Sequence, residues 1–226
     1  MTDRPILFSA PMVRALLAGT KTQTRRLIKP TSQTDGFTMY PQYLNGERIG
    51  SSSDPSFYDL SEFAVDPSNG LYNSGAPYCP GDRLWVREAW APLSALTHND
   101  PGVQALADRG FYRADGGTVD GEISRWRPGI HMPRWASRLT LTVTEVRVQR
   151  LQEISKEDAI AEGIVQHGRF YGLADADWDD AVLDPREAYG ALWNSINAKR
   201  APWDSNPWVC AITFKTTLGN IDQVRS

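Results

Sequence analysis

The 226-residue chain has little cysteine, few histidines and no long apolar run. Two cysteines are too few for the disulfide framework of a stapled secreted domain. No stretch approaches the roughly 18 apolar residues of a membrane-spanning helix, and the first residues lack the features of a signal peptide. The histidines and cysteines show no metal-ligand spacing, and the glycine-rich nucleotide loops and the G-x-S-x-G elbow are missing. We therefore expect a cytoplasmic protein with no metal, no cofactor and no membrane partner.

Basic residues are present mainly in two segments. Residues 1–30 carry six basic residues against one acid, residues 125–150 carry six arginines against one acid, and residues 151–190 carry ten acids against three bases. Arginine suits forked recognition of phosphates, and the tryptophans at 126 and 135 suit stacking on bases. The basic segments indicate either a nucleic-acid surface or a solvated face, while the overall pI of 5.6 argues against a protein that coats duplexes.

The hydrophobic periodicity predicts few helices and several separated strands. The predicted helices are 6–19, 155–163 and 184–196, and the predicted strands are 83–88, 139–148 and 208–215. We expect Ser9 and Ser155 to cap the first two helices, Gly19 to end the first in the left-handed conformation, Gly163 to end the second, and Tyr189 to lie on the apolar stripe of the third. Residues 31–79 and 91–133 show little periodicity, and we interpret them as long irregular insertions in one domain that spans residues 1–226. This pattern predicts an α+β fold: a small, mostly antiparallel β-barrel with helices packed at its ends.

Residues 19–26, Gly-Thr-Lys-Thr-Gln-Thr-Arg-Arg, form the most informative segment. Cations after a helix and threonines that open a strand would account for it structurally. The segment also closely resembles the G-x-K-x-x-x-x-R signature of ASCH domains, the RNA-associated relatives of PUA-like barrels. Residues 80–86, 155–164 and 208–215 resemble that family's G-D strand, its D-A-x-x-E-G helix end and its closing strand, in the same order. The sequences GDRLWVREAW and HMPRWASR are similar to members that phages and prophages carry, and the resemblance implies the PUA-like ASCH fold.

The resemblance extends to the bacterial N4-acetylcytidine amidohydrolases of this family. It implies that Lys21 is the base, Thr24 the nucleophile and Glu162 the proton donor. Amide hydrolysis needs these three roles, and Lys21 could act as a base if burial or the nearby arginines lowered its pKa from about 10.4. In a regular strand Lys21 and Thr24 would point to opposite faces, so the site requires a turn or bulge between them.

The remaining candidates are residues that could bind a substrate or nucleic acid. They are Arg25, Arg26, Arg87, Glu88, His131, Arg134, Trp135 and Arg138. The leading hypothesis is a metal-independent amidohydrolase that deacylates an N4-acylated cytosine in a nucleoside, nucleotide or oligonucleotide. The alternative is an RNA-binding module, with or without ribonuclease activity, that uses the same basic cleft.

Glu162 has a position that helix stability alone does not favour. An exposed acid in the last turn of a helix opposes the helix dipole and costs about 0.3–1 kcal/mol. We therefore interpret Glu162 as a functional residue and expect Glu162→Gln to fold at least as stably as the wild type.

Overall fold

The structure is a computed structural model that describes residues 2–34, 37–44, 47–54, 73–74, 78–92, 110–116, 123, 125–175 and 181–224. The helices in these residues are α1 (Ala10–Leu17), α2 (Lys156–Ala161) and α3 (Pro185–Asn197). The strands are β1 (Asp3–Leu7), β2 (Gln23–Leu27), β3 (Ser32–Thr34), β4 (Phe37–Leu44), β5 (Glu47–Ser52), β6 (Asn73–Ser74), β7 (Arg83–Arg87), β8 (Trp90–Ala91), β9 (Phe111–Tyr112), β10 (Leu139–Arg150), β11 (Ile164–His167), β12 (Phe170–Leu173) and β13 (Trp208–Leu218). Short 3-10 turns cover Arg113–Asp115, Gly129–His131, Arg134–Ala136, Leu151–Glu153 and Trp203–Ser205. Among the described residues, none of the helices combines the length and the apolarity that a membrane crossing requires.

The chain forms two compact units, each built from separate segments. The first unit comprises residues 20–82 and 143–215, and the second comprises residues 2–19, 83–142 and 216–226. In the first unit β13 lies between β10 and β2 and is antiparallel to β2, whereas in the second unit β7 pairs in parallel with β1 and antiparallel with β10. The predicted α+β class with mostly antiparallel strands is confirmed, and the prediction of one domain over residues 1–226 stays a prediction.

The first unit places its most apolar strand at the centre. In β13 the residues Val209, Cys210, Ala211 and Ile212 are all buried, because the strand has a neighbour on each edge and packed side chains on both faces. Helix α2 begins at Ser155, whose Oγ accepts a hydrogen bond of 3.0 Å from a backbone N–H in the first turn, as expected of a capping residue.

The second unit contains the first helix, which is shorter than predicted. Pro11 lies in its first turn, and proline is tolerated there but not further inside a helix. The preceding residues 3–7, of which 6 and 7 were predicted to be helical, instead form β1 because they pair with β7. Ser9 occupies the capping position without a side-chain hydrogen bond, and Gly19 adopts the expected left-handed conformation with φ of 73°.

The prediction that residues 31–79 are irregular is wrong for part of the segment. Strands β3, β4 and β5 pair as an antiparallel meander, and β6 pairs with β4. The segment 37–44 contains three aromatic residues and one threonine, which are types common in strands, but it lacks the strict alternation on which the prediction depended. In the second predicted insertion the described residues include the β8–β9 pair, and residues 93–109 lie outside the described part of the chain.

Candidate functional site

One face of β2 packs against one face of α2 in the first unit. Gln23 and Arg25 are two residues apart in a strand and therefore share a face. Asp158 lies in α2 and Glu162 at its C-cap, four residues further along, so these two acids also share a face. The backbone N–H of Thr22 donates to the carbonyl of Ala161 over 2.8 Å, which joins the chain before β2 to the end of α2. This matched spacing places two polar strand residues opposite two helix carboxylates.

Lys21 and Glu162 form a buried ion pair at this junction. The Lys21 Nζ donates to the Glu162 Oε2 and to the Glu162 backbone carbonyl, each over 2.7 Å. The two residues are only 2% and 3% exposed. Burial lowers the pKa of Lys21, and the nearby carboxylate of Glu162 opposes that effect only in part. A lysine with a lowered pKa beside a carboxylate is a candidate for proton exchange.

Arg25 connects Glu162 to Asp158. Its Nη1 donates to Glu162 Oε1 over 3.2 Å and its Nη2 donates to Asp158 Oδ2 over 2.7 Å. Gln23 closes a ring, because its Oε1 accepts from Arg25 over 2.6 Å and its Nε2 donates to Asp158 Oδ1 over 3.0 Å. Although burial opposes it, hydrogen bonds from Gln23 and Arg147 and the charge of Arg25 lower the pKa of Asp158. The Arg25 guanidinium is therefore held between the carboxyl groups of Glu162 and Asp158.

Tyr189 and Arg26 also contribute to the surroundings of Glu162. The Tyr189 hydroxyl lies 3.4 Å from Glu162 Oε1, and burial together with the Glu162 charge raises the pKa of Tyr189 well above its usual value. Burial lowers the pKa of Arg26, and the charges of Tyr78 and Glu162 oppose that shift. The Glu162 carboxylate is thus surrounded by cations and a neutral phenol.

The environment of Glu162 changes the expectation about its stability. Glu162 is the C-cap residue of α2 and Gly163, with φ of 102°, ends the helix as predicted. The carboxylate is not exposed to the helix dipole in water; it is buried and paired with Lys21 and Arg25. Because removal of one partner from a buried ion pair leaves an uncompensated charge, we no longer expect Glu162→Gln to be as stable as the wild type.

Thr24 is buried in β2, where it lies in register with Ile212 of β13. The register of β2 is regular from residue 23 to residue 27, so Thr24 lies on the face opposite to Gln23 and Arg25. Lys21 precedes β2 and is not constrained by the alternation of the strand. Its pKa is lowered by the charges of both Arg25 and Arg26, which belong to opposite faces, so the amine lies within electrostatic range of each face.

The other predicted binding residues belong to the second unit, where acids neutralise several of them. Arg138 donates to both carboxylate oxygens of the buried Glu88 over 2.9 and 3.1 Å, and a second ion pair joins it to Asp115 over 2.7 Å. Arg134 pairs with Asp222 over 2.7 Å and also with Asp3. These two arginines are engaged by acids of the chain itself.

The remaining candidates of the second unit are more exposed. His131 is exposed, and Trp135 is 56% exposed with its ring perpendicular to that of Trp90 at a centroid distance of 5.7 Å. Arg87 donates to the carbonyl of Ile130 and its guanidinium lies 5.2 Å from the Trp85 ring centre. Their assignment as binding residues stays a prediction.

Sequence reasoning missed Gln23, Asp158 and Tyr189 as members of the site. Asp158 and Tyr189 were visible only as part of a helix-end motif and of an apolar stripe. A usable signal was present in the spacing, since Gln23 and Arg25 share a strand face and Asp158 and Glu162 share a helix face. No family model, no curated protein and no solved structure matches this chain.

Proposed function

We propose that this chain is an ASCH-type, PUA-like amidohydrolase that removes the acyl group from an N4-acylated cytosine without a metal ion. The substrate is an N4-acetylcytidine-like nucleoside, nucleotide or oligonucleotide, and the reaction takes place in the cytoplasm. Thr24 is the nucleophile, Lys21 the base and Glu162 the proton donor. The observation that supports this proposal most strongly is the buried pair of Lys21 and Glu162, joined by a hydrogen bond of 2.7 Å.

The pair can supply a base and an acid together. Transfer of one proton from Lys21 to Glu162 converts the ion pair into a free amine and a carboxylic acid. Burial reduces the cost of this transfer because it disfavours the charged form of Lys21 and so lowers the pKa of Lys21, and the proposed reaction starts from the neutral form. The neutral pair then holds one proton acceptor, Lys21 Nζ, and one protonated oxygen, Glu162 Oε2, 2.7 Å apart.

In the first half of the proposed reaction, Lys21 removes the hydroxyl proton of Thr24 as the oxygen attacks the acyl carbon. Glu162 gives its proton to N4, and the C–N bond breaks. The products are cytosine with a free amino group and an acyl ester on Thr24, and the pair returns to the charged form.

In the second half, water attacks the ester. The water proton goes to Glu162, and Lys21 returns a proton to the leaving oxygen of Thr24. The carboxylic acid leaves, and the free threonine and the neutral pair are restored. Protons and bonds therefore balance over one cycle, with no group required beyond the three residues and water.

The test is to incubate the protein with N4-acetylcytidine and, separately, with a mixed RNA, both in the presence of a chelator. Mass analysis of the products distinguishes deacylation from chain cleavage and from binding without turnover. We expect cytidine and acetate as the products even though the chelator is present. Cleaved RNA with intact N4-acetylcytidine would support the RNA-directed alternative instead.

The nucleophile is tested by a matched pair of variants. Thr24→Ser keeps a hydroxyl and is expected to retain part of the activity, whereas Thr24→Ala is expected to lose nearly all of it. The measurement is kcat for deacylation, together with a burst of released cytidine that reports the acyl-enzyme. Equal activity in the two variants would remove Thr24 from the mechanism and leave it as a strand residue.

A further inference from the structure

Arg25 was selected as a residue that could bind substrate, but its side chain is fully buried and engaged within the protein. We infer that Arg25 is a positioning residue for the proposed deacylation: locked by Asp158 and Gln23, it fixes the Glu162 carboxylate so that Oε2 faces Lys21. This inference rests on the proposed function.

The two oxygens of the Glu162 carboxylate have different hydrogen-bond partners. Oε1 accepts from Arg25 over 3.2 Å and lies 3.4 Å from the hydroxyl of Tyr189, while Oε2 accepts from Lys21 over 2.7 Å. A carboxylate held at one oxygen cannot rotate about its C–C bond without breaking those contacts. The contacts of Oε1 therefore also fix the position of Oε2, which is the oxygen that faces Lys21.

Arg25 is itself held in place by Gln23 and Asp158. A ring of three hydrogen bonds, each 3.0 Å or shorter, joins Arg25 to Gln23, Gln23 to Asp158 and Arg25 to Asp158. Arginine can bridge the two acids because its planar fork presents two nitrogens in fixed directions, which a lysine ammonium on a flexible stem does not. The ring therefore specifies arginine and not simply a positive charge.

Arg25 also acts on Lys21 through its charge. Arg25 is always charged, and its charge lowers the pKa of Lys21, as burial does. A variant that removes the charge should therefore shift the titration of the pair, whereas a variant that keeps the charge but loses the fork should change only the geometry. Arg25→Met and Arg25→Lys separate these two contributions.

For kinetics, we expect Arg25→Lys to lower kcat by about 10-fold to 100-fold with little change in KM, because a misplaced catalytic group loses transition-state stabilisation. The pH limits of its kcat/KM profile should match those of the wild type. Arg25→Met should lower kcat and also move both limits to higher pH, since loss of a neighbouring cation makes protons bind more tightly.

Asp158→Asn and Arg147→Gln provide a milder variant and a matched control. Asp158→Asn keeps an oxygen for Gln23 but weakens the lock on Arg25, so its kcat should fall in the same direction as that of Arg25→Lys. Arg147 donates to Asp158 from the outside, over 2.8 and 3.0 Å, and is not part of the ring. Arg147→Gln should therefore keep kcat within about twofold of the wild type.

A second readout does not depend on activity. The chain has only five lysines, so carbon-13 labelling at lysine Cε gives a simple spectrum in which a Lys21→Met reference identifies the Lys21 signal. The Lys21 titration midpoint should rise in Arg25→Met and return towards the wild-type value in Arg25→Lys. If wild-type protein does not deacylate N4-acetylcytidine, the proposed function fails, and this titration still tests separately whether the charge of Arg25 acts on Lys21. Full kcat in Arg25→Lys, or an unchanged Lys21 midpoint in Arg25→Met, would overturn it.

Discussion

Two buried glutamates, one in each compact unit, both have an arginine partner but differ in what else they contact. In the second unit one arginine occupies both oxygens of Glu88, since Arg138 donates to Oε1 over 2.9 Å and to Oε2 over 3.1 Å. In the first unit the oxygens of Glu162 are divided between Arg25 and Lys21. Glu88 is 1% exposed and Glu162 is 3% exposed, so burial does not distinguish them.

The difference lies in which partner can give up a proton. An arginine does not deprotonate in proteins, so Arg138 cannot pass a proton to Glu88, whose own pKa is raised by burial. Burial lowers the pKa of Lys21, so its ammonium can give a proton to Glu162 more readily than an arginine could. The type of cation, rather than burial, distinguishes the surroundings of Glu162 from those of Glu88, and the assignment of Glu88 and Arg138 as binding residues stays a prediction.

The largest expected effect comes from Glu162→Gln. It should reduce deacylation by at least about 100-fold, because the proton donor is lost. It should also reduce the free energy of unfolding by about 3–5 kcal/mol, since Lys21 is left in the interior without its counter-charge. The measurements are kcat for folded protein and urea unfolding at pH 7. A variant that keeps both activity and stability would contradict the catalytic role and the ion pair together.

Glu88→Gln is the matched change in the second unit, and it should separate stability from activity. We expect a loss of about 1–3 kcal/mol, less than for Glu162→Gln, because Arg138 keeps its pair with the half-exposed Asp115. The kcat of the folded protein should stay near the wild-type value. A loss of turnover as large as that of Glu162→Gln would mean that Glu88 shares the chemistry.

The pH dependence of stability should report the lowered pKa of Asp158. Its carboxyl is stabilised in the charged form by Gln23, Arg147 and Arg25, so its contribution is complete above the unfolded pKa of about 3.9 and is lost as pH falls through the folded value. The stability difference between wild type and Asp158→Asn should therefore narrow as the pH is lowered from about 5 to about 2. Asp204→Asn, at an exposed carboxyl, is the control and should show a smaller change.

The smallest expected effect concerns Arg134. An arginine that contacts phosphate would lower the salt slope of nucleic-acid binding by about one contact when replaced. Arg134 is already paired with Asp222 and Asp3, so Arg134→Gln should leave the slope nearly unchanged and alter stability by about 1 kcal/mol or less. The salt slope is measured by titrating labelled RNA at several salt concentrations. A decrease of the slope by one full contact would show that Arg134 leaves Asp222 and Asp3 to bind the RNA.

Local patterns predicted the features that depend on a few neighbouring residues. The cap at Ser155 and the left-handed glycines at 19 and 163 were all expected from the sequence, since each is decided within one turn of chain. The partners of Arg134 could not be predicted in this way, because Asp3 and Asp222 are 131 and 88 residues away. The net charge of residues 125–150 therefore does not show how many of their arginines are left unpaired by acids from distant parts of the chain.

Part of the candidate site could be predicted from the sequence. Resemblance supplied Lys21 and Glu162, which the structure brings together, and Thr24, for which a role in catalysis stays a prediction. The ring of Gln23, Arg25 and Asp158 was not predicted, although its spacing was present, because nothing local indicates that β2 and α2 face each other. Meander strands in 31–79 were missed for a similar reason: their pairing, not their alternation, stabilises them.

The sequence separation within the ion pair also affects when the site can assemble. Lys21 and Glu162 are 141 residues apart, and ribosomes add about 5–20 residues per second, so the lysine waits on the order of ten seconds for its partner during synthesis. Over that interval a buried Lys21 ammonium would lack the carboxylate of Glu162 as its counter-charge. We therefore expect residues 19–26 to stay in contact with water until Glu162 has been synthesised. Contacts of such high sequence separation also slow refolding. Recovery of the Lys21–Glu162 pair should therefore be a late event when the unfolded chain is returned to native conditions.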